Sequence, residues 1–590
     1  MKDFFKYVLA TIVGLILSQI ILSLLFMIFI GIIIASASFG DKSDEADIKS
    51  NSILHLKLDF PIVERTSDDP FQQLAFILGD REKPLSLKDI TDNIRQAADD
   101  DRIKGIYLDL SFFSGRNATL EEVRNALLDF KKSGKFIYAY SDVLSQKTYL
   151  LSSMADSIFM QPEGMVAFTG FASELAFFKG TLEKLNIEAR VIKVGKFKSA
   201  VEPFIREDMS DENREQMKAL VESMYTHYLQ NVSDSRGLSV AELRRIADSA
   251  LVVNPQQALQ YRMIDGLAYR DQVTEKLKAR LDVEEDKDLN LLTLKEFNKK
   301  DKKESAKDKI ALIYAVGEIG MGEGDEQSIG SESLSKAIRK ARKDDDIKAI
   351  VLRVNSPGGS ALASDVIWRE MVLAKEAKPV IVSMGDVAAS GGYYIACAAD
   401  TIVAEPNTVT GSIGVFALLP GLEKFWEDKL GITFDRYCTG PYADLGNPNR
   451  ELRPEERQII QHLVNNIYAD FITKVGEGRG LDTAFVDSIG QGRVWTGLQA
   501  RDRGLVDVMG GLDSALAIAA RSAGLDKYQI RILPERKNPF EKIISDLSGQ
   551  ARTYILKSSL QEDYELYRQV QALKERKGIQ ALMPYNLDIQ

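Results

Sequence analysis

The first 40 residues differ from the rest of the chain in their pattern of hydrophobic and polar positions. No charged residue occurs from residue 7 to residue 40, where Leu, Ile, Val, Phe and Ala dominate. This stretch is longer than the ~20 apolar residues that a helix needs to cross a bilayer. We therefore predict that residues 1–40 hold a short N-terminus and a transmembrane helix, with residues 7–36 in contact with the lipid bilayer.

The charges on either side of this segment predict its orientation. Lys2 and Lys6 precede it, and a mixed-charge run follows it at residues 41–47. Under the positive-inside rule, the N-terminus stays in the cytoplasm and the rest of the chain lies across the membrane. The alternative is a cleaved signal peptide, because residues 35–37 (ASA) are typical of a signal peptidase site. The apolar stretch is far longer than the ~7 to 15 residues of a signal peptide, which favours an anchor.

A long internal repeat organises the remainder of the chain. Residues 93–115 match residues 337–359 at a constant shift of 244 residues. The same register holds far beyond these two segments, which indicates two copies of one structural unit. The identical pairs include Ile94 and Ile338, Arg95 and Arg339, Ile103 and Ile347, Lys104 and Lys348, Asp142 and Asp386, and Pro162 and Pro406.

A charged run separates the two copies. Residues 295–309 (KEFNKKDKKESAKDK) are too polar to form a core, so we interpret them as a linker. The sequence then predicts an N-terminal repeat over residues 50–294 and a C-terminal repeat over residues 310–535. Residues 536–590 form a C-terminal tail whose sequence carries no recognisable motif.

Apolar runs alternate with a helical pattern in the second copy. Residues 310–316, 347–354 and 380–384 are strand-like apolar runs, and residues 331–343 form an amphipathic helical pattern. Strands that alternate with helices are typical of an α/β fold whose parallel sheet is buried on both faces. We expect each copy to have this fold.

Composition excludes several classes of function. The formal net charge of −10 comes from mixed charges without a basic block, so nucleic acid is not an expected partner. Cys397 and Cys438 have no metal-ligand spacing, and we interpret both as buried small hydrophobic residues. The chain has no HExxH motif, no P-loop and no GxGxxG after a strand, so we expect neither a metal nor another cofactor.

A strand that turns tightly into a helix offers the candidate nucleophile. Ser390 follows the apolar run at residues 380–384 and precedes Gly391, where the backbone can approach a ligand closely. A second glycine turn lies at residues 355–359, and we expect the amides of Gly359 and Gly391 to form an oxyanion site. The alternative is a closely packed helix start. The first copy lacks both glycine features, which favours a function over a structural need.

A serine nucleophile needs a base, and the first copy offers lysines at the end of an apolar run: Lys193, Lys196 and Lys198. Burial lowers the pKa of a lysine, so a neutral amine can take the proton. In an extended segment Lys193 points away from the other two, and the small apolar setting after Lys198 favours it over Lys196. The equivalent residues 438–444 contain no lysine, so each copy supplies half a site. The three histidines, interpreted as structural, are His55, His227 and His462.

Four segments resemble the signature segments of the signal peptide peptidase A family in its long, two-repeat form, also called protease IV. They are FKSAVEPF at residues 197–204, NSPGG at 355–359, ASGGYYIA at 389–396 and GSIGV at 411–415. The resemblance implies that Ser390 is the nucleophile and Lys198 the general base. It also implies that the hydroxyl of Ser412 orients the lysine amine.

The same resemblance implies a fold like that of Clp protease and the crotonases, and a bowl-shaped homo-oligomer that we expect to be a tetramer. The implied function is a serine endopeptidase with a Ser/Lys dyad that degrades cleaved signal peptides and other apolar peptides. It would act at the outer face of the bacterial inner membrane. Two alternatives remain: a crotonase-like acyl-CoA enzyme that uses the same oxyanion site, and a non-catalytic membrane scaffold.

Overall fold

The computed structural model describes residues 6–7, 10–11, 13–22, 48–67, 84–297, 306–325, 327–535 and 578–583. Residues 13–22 are helical, and most of the remaining predicted anchor lies outside the described residues. Within those ranges, no helix combines the length and the apolar character that a bilayer crossing requires. The predicted C-terminal tail is described only at residues 578–583.

The strands of the first repeat are β1 (Ser52–Leu56), β2 (Ile62–Val63), β3 (Leu85–Ser86), β4 (Ile103–Asp109), β5 (Phe136–Leu144), β6 (Ser157–Val166), β7 (Glu188–Lys193), β8 (Gly266–Leu267) and β9 (Asn290–Thr293). Six of them form a parallel sheet in the order β8-β6-β5-β4-β1-β9. The short strands β2 and β3 pair with each other, and β7 joins a different sheet.

The strands from the second repeat onward are β10 (Lys309–Val316), β11 (Glu318–Gly320), β12 (Ser328–Gly330), β13 (Ile347–Ser356), β14 (Gly358–Ser360), β15 (Val380–Ala389), β16 (Thr401–Ala404), β17 (Val409–Gly411), β18 (Phe416–Gly421), β19 (Val494–Thr496), β20 (Val508–Met509), β21 (Gln529–Leu533) and β22 (Ile579–Leu582). The second repeat is built on an eight-stranded sheet that contains the path β19-β17-β15-β13-β10-β21, with β16 beside β15 and β20 beside β16.

Helices connect the strands of both repeats. Those of the first repeat are α1 (Leu87–Asp99), α2 (Asn117–Lys131), α3 (Gln146–Ser152), α4 (Lys179–Lys184), α5 (Glu202–Ile205), α6 (Asp211–Arg236), α7 (Val240–Asp248), α8 (Pro255–Gln260), α9 (Arg270–Arg280) and α10 (Leu294–Phe297). Those of the second are α11 (Ser331–Lys343), α12 (Ala361–Ala377), α13 (Gly391–Ala396), α14 (Pro454–Arg479), α15 (Thr483–Ile489), α16 (Gly497–Arg501) and α17 (Leu512–Ser522).

The two sheets repeat one arrangement, as the sequence repeat predicts. The order β9-β1-β4-β5 in the first sheet corresponds to β21-β10-β13-β15 in the second. Strand β15 is buried at every residue, because the parallel sheet is covered on both faces. Helix α11 buries Leu334, Ile338 and Ala341 on one stripe, which is the spacing of an amphipathic helix. The prediction of two tandem α/β repeats is confirmed.

A third, smaller sheet combines both repeats with the C-terminal segment, in the order β12-β11-β14-β22-β18-β7. Strand β7 of the first repeat pairs antiparallel with β18 of the second. Strand β22 lies between β14 and β18 and is antiparallel to both. This sheet brings the end of β7 next to the end of β15.

Buried charges join the two repeats. The guanidinium of Arg353 is fully buried on β13 and donates to Glu64 Oε2 (2.9 Å) and Glu122 Oε1 (2.6 Å) of the first repeat. Both carboxylates raise the pKa of Arg353 against the opposing effect of burial, so it stays charged. Removing Arg353 would leave two buried carboxylates without their cation, at a cost of about 3 to 5 kcal/mol. The ion cluster therefore fixes the position of one repeat against the other.

A helix terminus makes a second contact between the repeats. Asp386 on β15 accepts hydrogen bonds from the backbone amides of Ala118 and Thr119, both at 3.0 Å, at the start of α2. A carboxylate is favoured at a helix N-terminus, where the unpaired amides carry partial positive charge. The strand that precedes Ser390 is thereby held against the first repeat.

Two sequence-based interpretations are wrong in detail. Cys397 is buried, but Cys438 is exposed, as are residues 431–437 before it. The predicted linker at residues 295–309 begins too early, since Phe297 at the end of α10 is fully buried in the first repeat's core. Lysines around an isolated aromatic residue mask such a contact in the sequence.

Candidate active site

Lys198 lies in a tight turn after strand β7. Gly195 has a φ of +98°, and a Cβ there would lie 2.4 Å from the backbone of Gln491, so the turn needs glycine. The amide of Phe197 donates to the carbonyl of Gln491 at 2.9 Å. The turn is therefore attached to the second repeat, and Lys198 is completely buried.

Ser390 lies where β15 ends and α13 begins. Its φ of 56° and ψ of −113° are unusual for a residue with a side chain and cost about 1 to 3 kcal/mol. The amide of Ser390 donates to the carbonyl of Gly411 at 2.8 Å, which holds the residue in this conformation. A strained strand-to-helix turn that presents a serine hydroxyl is typical of a nucleophile.

The structure brings Lys198, Ser390 and Ser412 together within one chain. Lys198 Nζ lies 2.8 Å from Ser390 Oγ, 3.0 Å from Ser412 Oγ and 3.1 Å from the Ser412 carbonyl. Ser412, like Ser390, has a positive φ, of 50°. All three residues are completely buried. One repeat supplies the amine and the other supplies both hydroxyls.

Burial sets the protonation state of the amine. It lowers the pKa of Lys198 well below its ordinary value of 10.5, since the ammonium form loses its hydration. Desolvation is the cause of this shift, without a compensating charge. A neutral amine at hydrogen-bond distance from a hydroxyl can accept its proton. The geometry therefore fits an amine that activates a serine.

Glycines of the second repeat enclose the lysine. A Cβ at Gly492 would lie 2.6 Å from Lys198 Cβ, and one at Gly414 would lie 3.2 Å from Lys198 Cδ. Gly492 also has a φ of +78°. These glycines let the backbone pack directly against the lysine stem and keep water away from it. The GSIGV segment marks Gly414, whereas nothing in the sequence marks Gly492.

A buried glutamine supports the same turn. Gln216 on α6 donates through Nε2 to the carbonyl of Phe197 at 3.2 Å and to Ser199 Oγ at 2.6 Å. Its Oε1 accepts from the amide of Val494 at 3.3 Å. Gln216 thus connects both sides of Lys198 to the second repeat. The sequence carries no signal for this role, because a glutamine inside a long helix is ordinary.

The neighbouring lysines lie outside this junction. Strand β7 ends at Lys193, and the following residues form a turn instead of the extended segment that the sequence argument assumed. Lys193 Nζ donates to the backbone carbonyl of Lys198 at 3.3 Å. Lys196 is exposed and lies over the ring of Phe197.

The glycine turns lie beside Ser390. Gly391 is the first residue of α13, and its amide lies 2.7 Å from the position that a Cβ of Gly358 would occupy. Gly358 and Gly359 have φ values of +102° and +154°. A Cβ at Gly359 would lie 2.1 Å from the carbonyl oxygen of Ile319, so this position also needs glycine.

The three histidines lie away from Ser390 and have other partners. His55 Nε2 lies 3.1 Å from Asp109 Oδ2, and His227 hydrogen-bonds Glu121. His462 contacts Asn466 on the surface of α14. Among the described residues, no group of three or more His, Cys, Asp or Glu side chains could hold a metal ion.

Two protein-family models match the chain. The model of peptidase family S49 matches residues 129–284 and 373–526, and the first segment contains Lys198 while the second contains Ser390 and Ser412. The model of the ClpP-like SDH-type serine proteinases matches residues 326–417.

Curated relatives match most of the chain. The chloroplastic serine protease SPPA of Arabidopsis thaliana is 37% identical over 508 residues, which are 85% of this chain and 74% of the relative. Protease 4 of Salmonella typhi is 37% identical over 494 residues, 82% of this chain and 79% of the relative. Protease 4 of Haemophilus influenzae is 35% identical over 520 residues, 84% and 83% of the two chains. The chain therefore belongs to peptidase family S49 and is a serine protease.

Proposed function

We propose that this chain is a membrane-anchored endopeptidase that uses Ser390 as nucleophile and Lys198 as general base to degrade apolar peptides. Cleaved signal peptides at the outer face of the bacterial inner membrane are the substrates that we propose. The observation that carries the proposal is the 2.8 Å contact between Lys198 Nζ and Ser390 Oγ in a completely buried junction. Among the described residues, the other hydrogen-bond partner of Ser390 Oγ is the carbonyl oxygen of Gly414 at 3.4 Å, which cannot take a proton.

The reaction follows from these contacts. Neutral Lys198 takes the proton of Ser390 Oγ as the oxygen attacks the peptide carbonyl, and the hydroxyl of Ser412 orients the amine. The amides of Gly391 and Gly359 donate to the oxyanion as it forms. The lysine ammonium then gives its proton to the leaving amine, and the ester between Ser390 and the peptide remains. Water, deprotonated by Lys198, hydrolyses this ester and restores the hydroxyl.

Apolar side chains near the junction support an apolar peptide as substrate. Val387 and Ala389 at the end of β15 pack with Leu220 and Met224 of α6. On the other side, Phe416 packs with residues 200–201. A peptide that enters between these groups buries apolar side chains, each contributing about 1.5 to 3 kcal/mol when fully covered.

We also propose that residues 1–40 anchor the chain, with residues 7–36 in the bilayer and the protease domains outside the cytoplasm. The uncharged length of the segment and the lysines that precede it support this orientation. Protease added to intact spheroplasts should then digest the domains of a wild-type chain. Protection until the spheroplasts are lysed would contradict the topology.

The partner that we propose for assembly is a second copy of this chain. Within the chain, β18 pairs with β7. The repeat relates β18 to residues 172–177 at a shift of 244 residues, and β7 to residues 433–438 at a local shift of 245 residues. Within the described part of the chain neither segment pairs with a strand. Residues 431–439 are exposed throughout. Pairing of these two segments between copies would be a heterologous contact, which forms a ring when the rotation from copy to copy closes; the ring that we propose is a tetramer.

Light scattering on the detergent-solubilised chain tests this assembly. Phe434→Asp should reduce the particle to a single chain, because it places a charge in the proposed contact. An unchanged mass would exclude this segment as the contact between copies.

Two measurements together test the protease function. A fluorophosphonate should label Ser390, and the label should be absent from Ser390→Ala; this separates a protease from a non-catalytic scaffold. Peptides with Leu, Ala or Phe at the cleaved position should be hydrolysed faster than those with Lys or Asp, with EDTA present. Failure of labelling, or faster cleavage after Lys or Asp, would refute the proposal.

A further inference from the structure

A single turn of the second repeat lies against both Lys198 and Ser412. We call residues 490–493 the bridging turn. A Cβ at Gly492 would lie 2.6 Å from Lys198 Cβ, so this part of the turn packs directly against the lysine. The carbonyl of Arg493 accepts a hydrogen bond from the amide of Ser412 at 2.7 Å. The bridging turn therefore helps to set the distance between the amine and the hydroxyl that orients it.

The bridging turn has a conformation that its own sequence does not favour. Gln491 has a φ of +51°, and Gly492 follows it with a φ of +78°. Glycine enters this left-handed region freely, whereas a residue with a long side chain rarely does. Such a conformation persists only where surrounding contacts impose it. We therefore looked for the groups that hold Gln491.

Tyr468 on α14 and Asp487 on α15 bind Gln491. Tyr468 Oη accepts from the amide of Gln491 at 3.2 Å and donates to Asp487 Oδ1 at 2.5 Å. The same Oδ1 accepts from Gln491 Nε2 at 2.5 Å. Tyr468 is buried, and a Cβ at Gly490 would lie 3.3 Å from its hydroxyl. The backbone and the side chain of Gln491 are thus held by two groups that also bind each other.

The first repeat keeps the tyrosine but not this arrangement. Helices α6 and α14 have 26 residues each and correspond at a local shift of 243 residues. At this shift Tyr468 corresponds to Tyr225, whose hydroxyl has no hydrogen-bond partner among the described residues. Asp487 corresponds to Arg244, which lies over the ring of Tyr225. The α/β unit therefore folds without the pair, which favours a role in the site over a structural need.

We propose that Tyr468 and Asp487 position the base of the protease reaction. They hold the bridging turn against Lys198 and thereby keep its amine at hydrogen-bond distance from Ser390 Oγ. Both act through Gln491, so they are positioning residues and not catalytic ones. This inference rests on the proposed function, because the position of Lys198 matters only if Lys198 is the base.

The pH dependence of Ser390 reactivity reports whether the bridging turn is in place. Burial is the cause that lowers the pKa of Lys198. A loosened turn admits water to the amine, so the pKa rises and the neutral base forms only at higher pH. Loss of the Asp487 charge would act in the opposite direction, because a carboxylate favours the ammonium form. The direction of the shift therefore distinguishes an effect on position from an effect of charge.

Tyr468→Phe is the main test, because it removes one oxygen and leaves the buried ring in place. The probe is a fluorophosphonate, and the measurement is its rate of reaction with Ser390 as a function of pH. The rate at pH 7 should fall by about 10- to 100-fold, because the base is misplaced. The midpoint of the pH profile should move upward by about 0.5 to 1 unit.

Substitutions of Asp487 give a second, independent comparison. Asp487→Ala should lower the rate and raise the midpoint in the same way as Tyr468→Phe. Asp487→Asn keeps an oxygen that can accept from Tyr468 and Gln491, so its rate should return to within about three-fold of wild type. If melting curves show that Tyr468→Phe is unfolded at the assay temperature, this pair of variants decides the question.

Tyr225→Phe is the matched control, because it removes the corresponding hydroxyl of the first repeat. Its rate and its midpoint should equal those of the wild type. An unchanged or lower midpoint in Tyr468→Phe and Asp487→Ala, even with a lower melting temperature, would assign the pair a structural role and overturn the inference.

Failure of this inference is distinguishable from failure of the proposed function. A wild-type chain that the fluorophosphonate does not label at Ser390, or a Lys198→Met chain that reacts normally, would refute the proposed mechanism itself. A wild-type pH profile in Tyr468→Phe, together with an unreactive Lys198→Met chain, would refute only the role of Tyr468 and Asp487.

Discussion

Replacing Lys198 by Met tests the proposed mechanism most directly. Methionine has a similar length and no amine, so the substitution removes the contacts to Ser390 and Ser412 while it fills the same buried space. The other partner of Ser390 Oγ, the carbonyl of Gly414, cannot accept a proton. Proton transfer by a positioned base accelerates a reaction about 10²- to 10⁴-fold. Loss of a complete nucleophile unit lowers kcat about 10⁶-fold. We expect kcat to fall by about 10⁴- to 10⁶-fold, or about 5 to 8 kcal/mol of activation free energy.

The same substitution should make the protein more stable, which separates a catalytic from a structural effect. The pKa of Lys198 is lowered in the folded state, so the unfolded chain binds more protons than the folded chain between that pKa and 10.5. Stability from this group therefore rises with pH, and at neutral pH the lysine opposes folding. Lys198→Met removes that cost. Its melting temperature should exceed that of the wild type at pH 7, and the difference should shrink as the pH approaches 10.5.

The assay is hydrolysis of a fluorogenic apolar peptide, with melting temperatures from the same preparations. Lys196→Met is the matched control, because Lys196 is exposed and lies two residues away; its kcat should stay within about two-fold of wild type. Combining Lys198→Met with Ser390→Ala should cost no more than either alone, because the two residues act as one unit. An active Lys198→Met enzyme, or one that loses activity together with a lower melting temperature, would refute the reasoning.

Three further predictions concern the same site and its support. Activity should rise with pH as Lys198 loses its proton and level off well below pH 10.5; a profile still rising at pH 10.5 would show an unburied amine. Gly492→Ala should lower kcat at least ~100-fold, because the new Cβ would lie 2.6 Å from Lys198 Cβ. Gly480 is the control, because it has a similar φ and a Cβ there would meet open space; Gly480→Ala should change kcat by less than ~three-fold. Burial and the neighbouring carboxylates raise the pKa of Glu405 well above 4.5. The folded state therefore favours the protonated carboxyl, and the contribution of Glu405 to the free energy of unfolding is lost as the pH rises through that raised pKa. Glu405→Gln should therefore increase the free energy of unfolding by about 1 to 3 kcal/mol at pH 9 and change it little at pH 4, as urea titration would measure.

The outline of the fold follows from local signals in the sequence. The constant register between the copies and the alternation of apolar strands with amphipathic helices predict two α/β units, and these are present. Boundaries were less predictable. Phe297 is buried although charges surround it in the sequence, whereas Cys438 is exposed together with the residues before it. Both outcomes depend on what packs against a residue, which the local pattern does not contain.

The sequence by itself determined which residues are available for chemistry: a serine in a glycine-rich turn, a group of lysines in the other copy, and no histidine near either. Only the tertiary structure decided that Lys198 Nζ meets Ser390 Oγ across 192 residues of chain, and that Gly492 and Gln216 support the junction. It also decided that strand β22 lies between β14 and β18. The physical reason is that an amine becomes buried, and its pKa lowered, only through contacts between segments far apart in sequence.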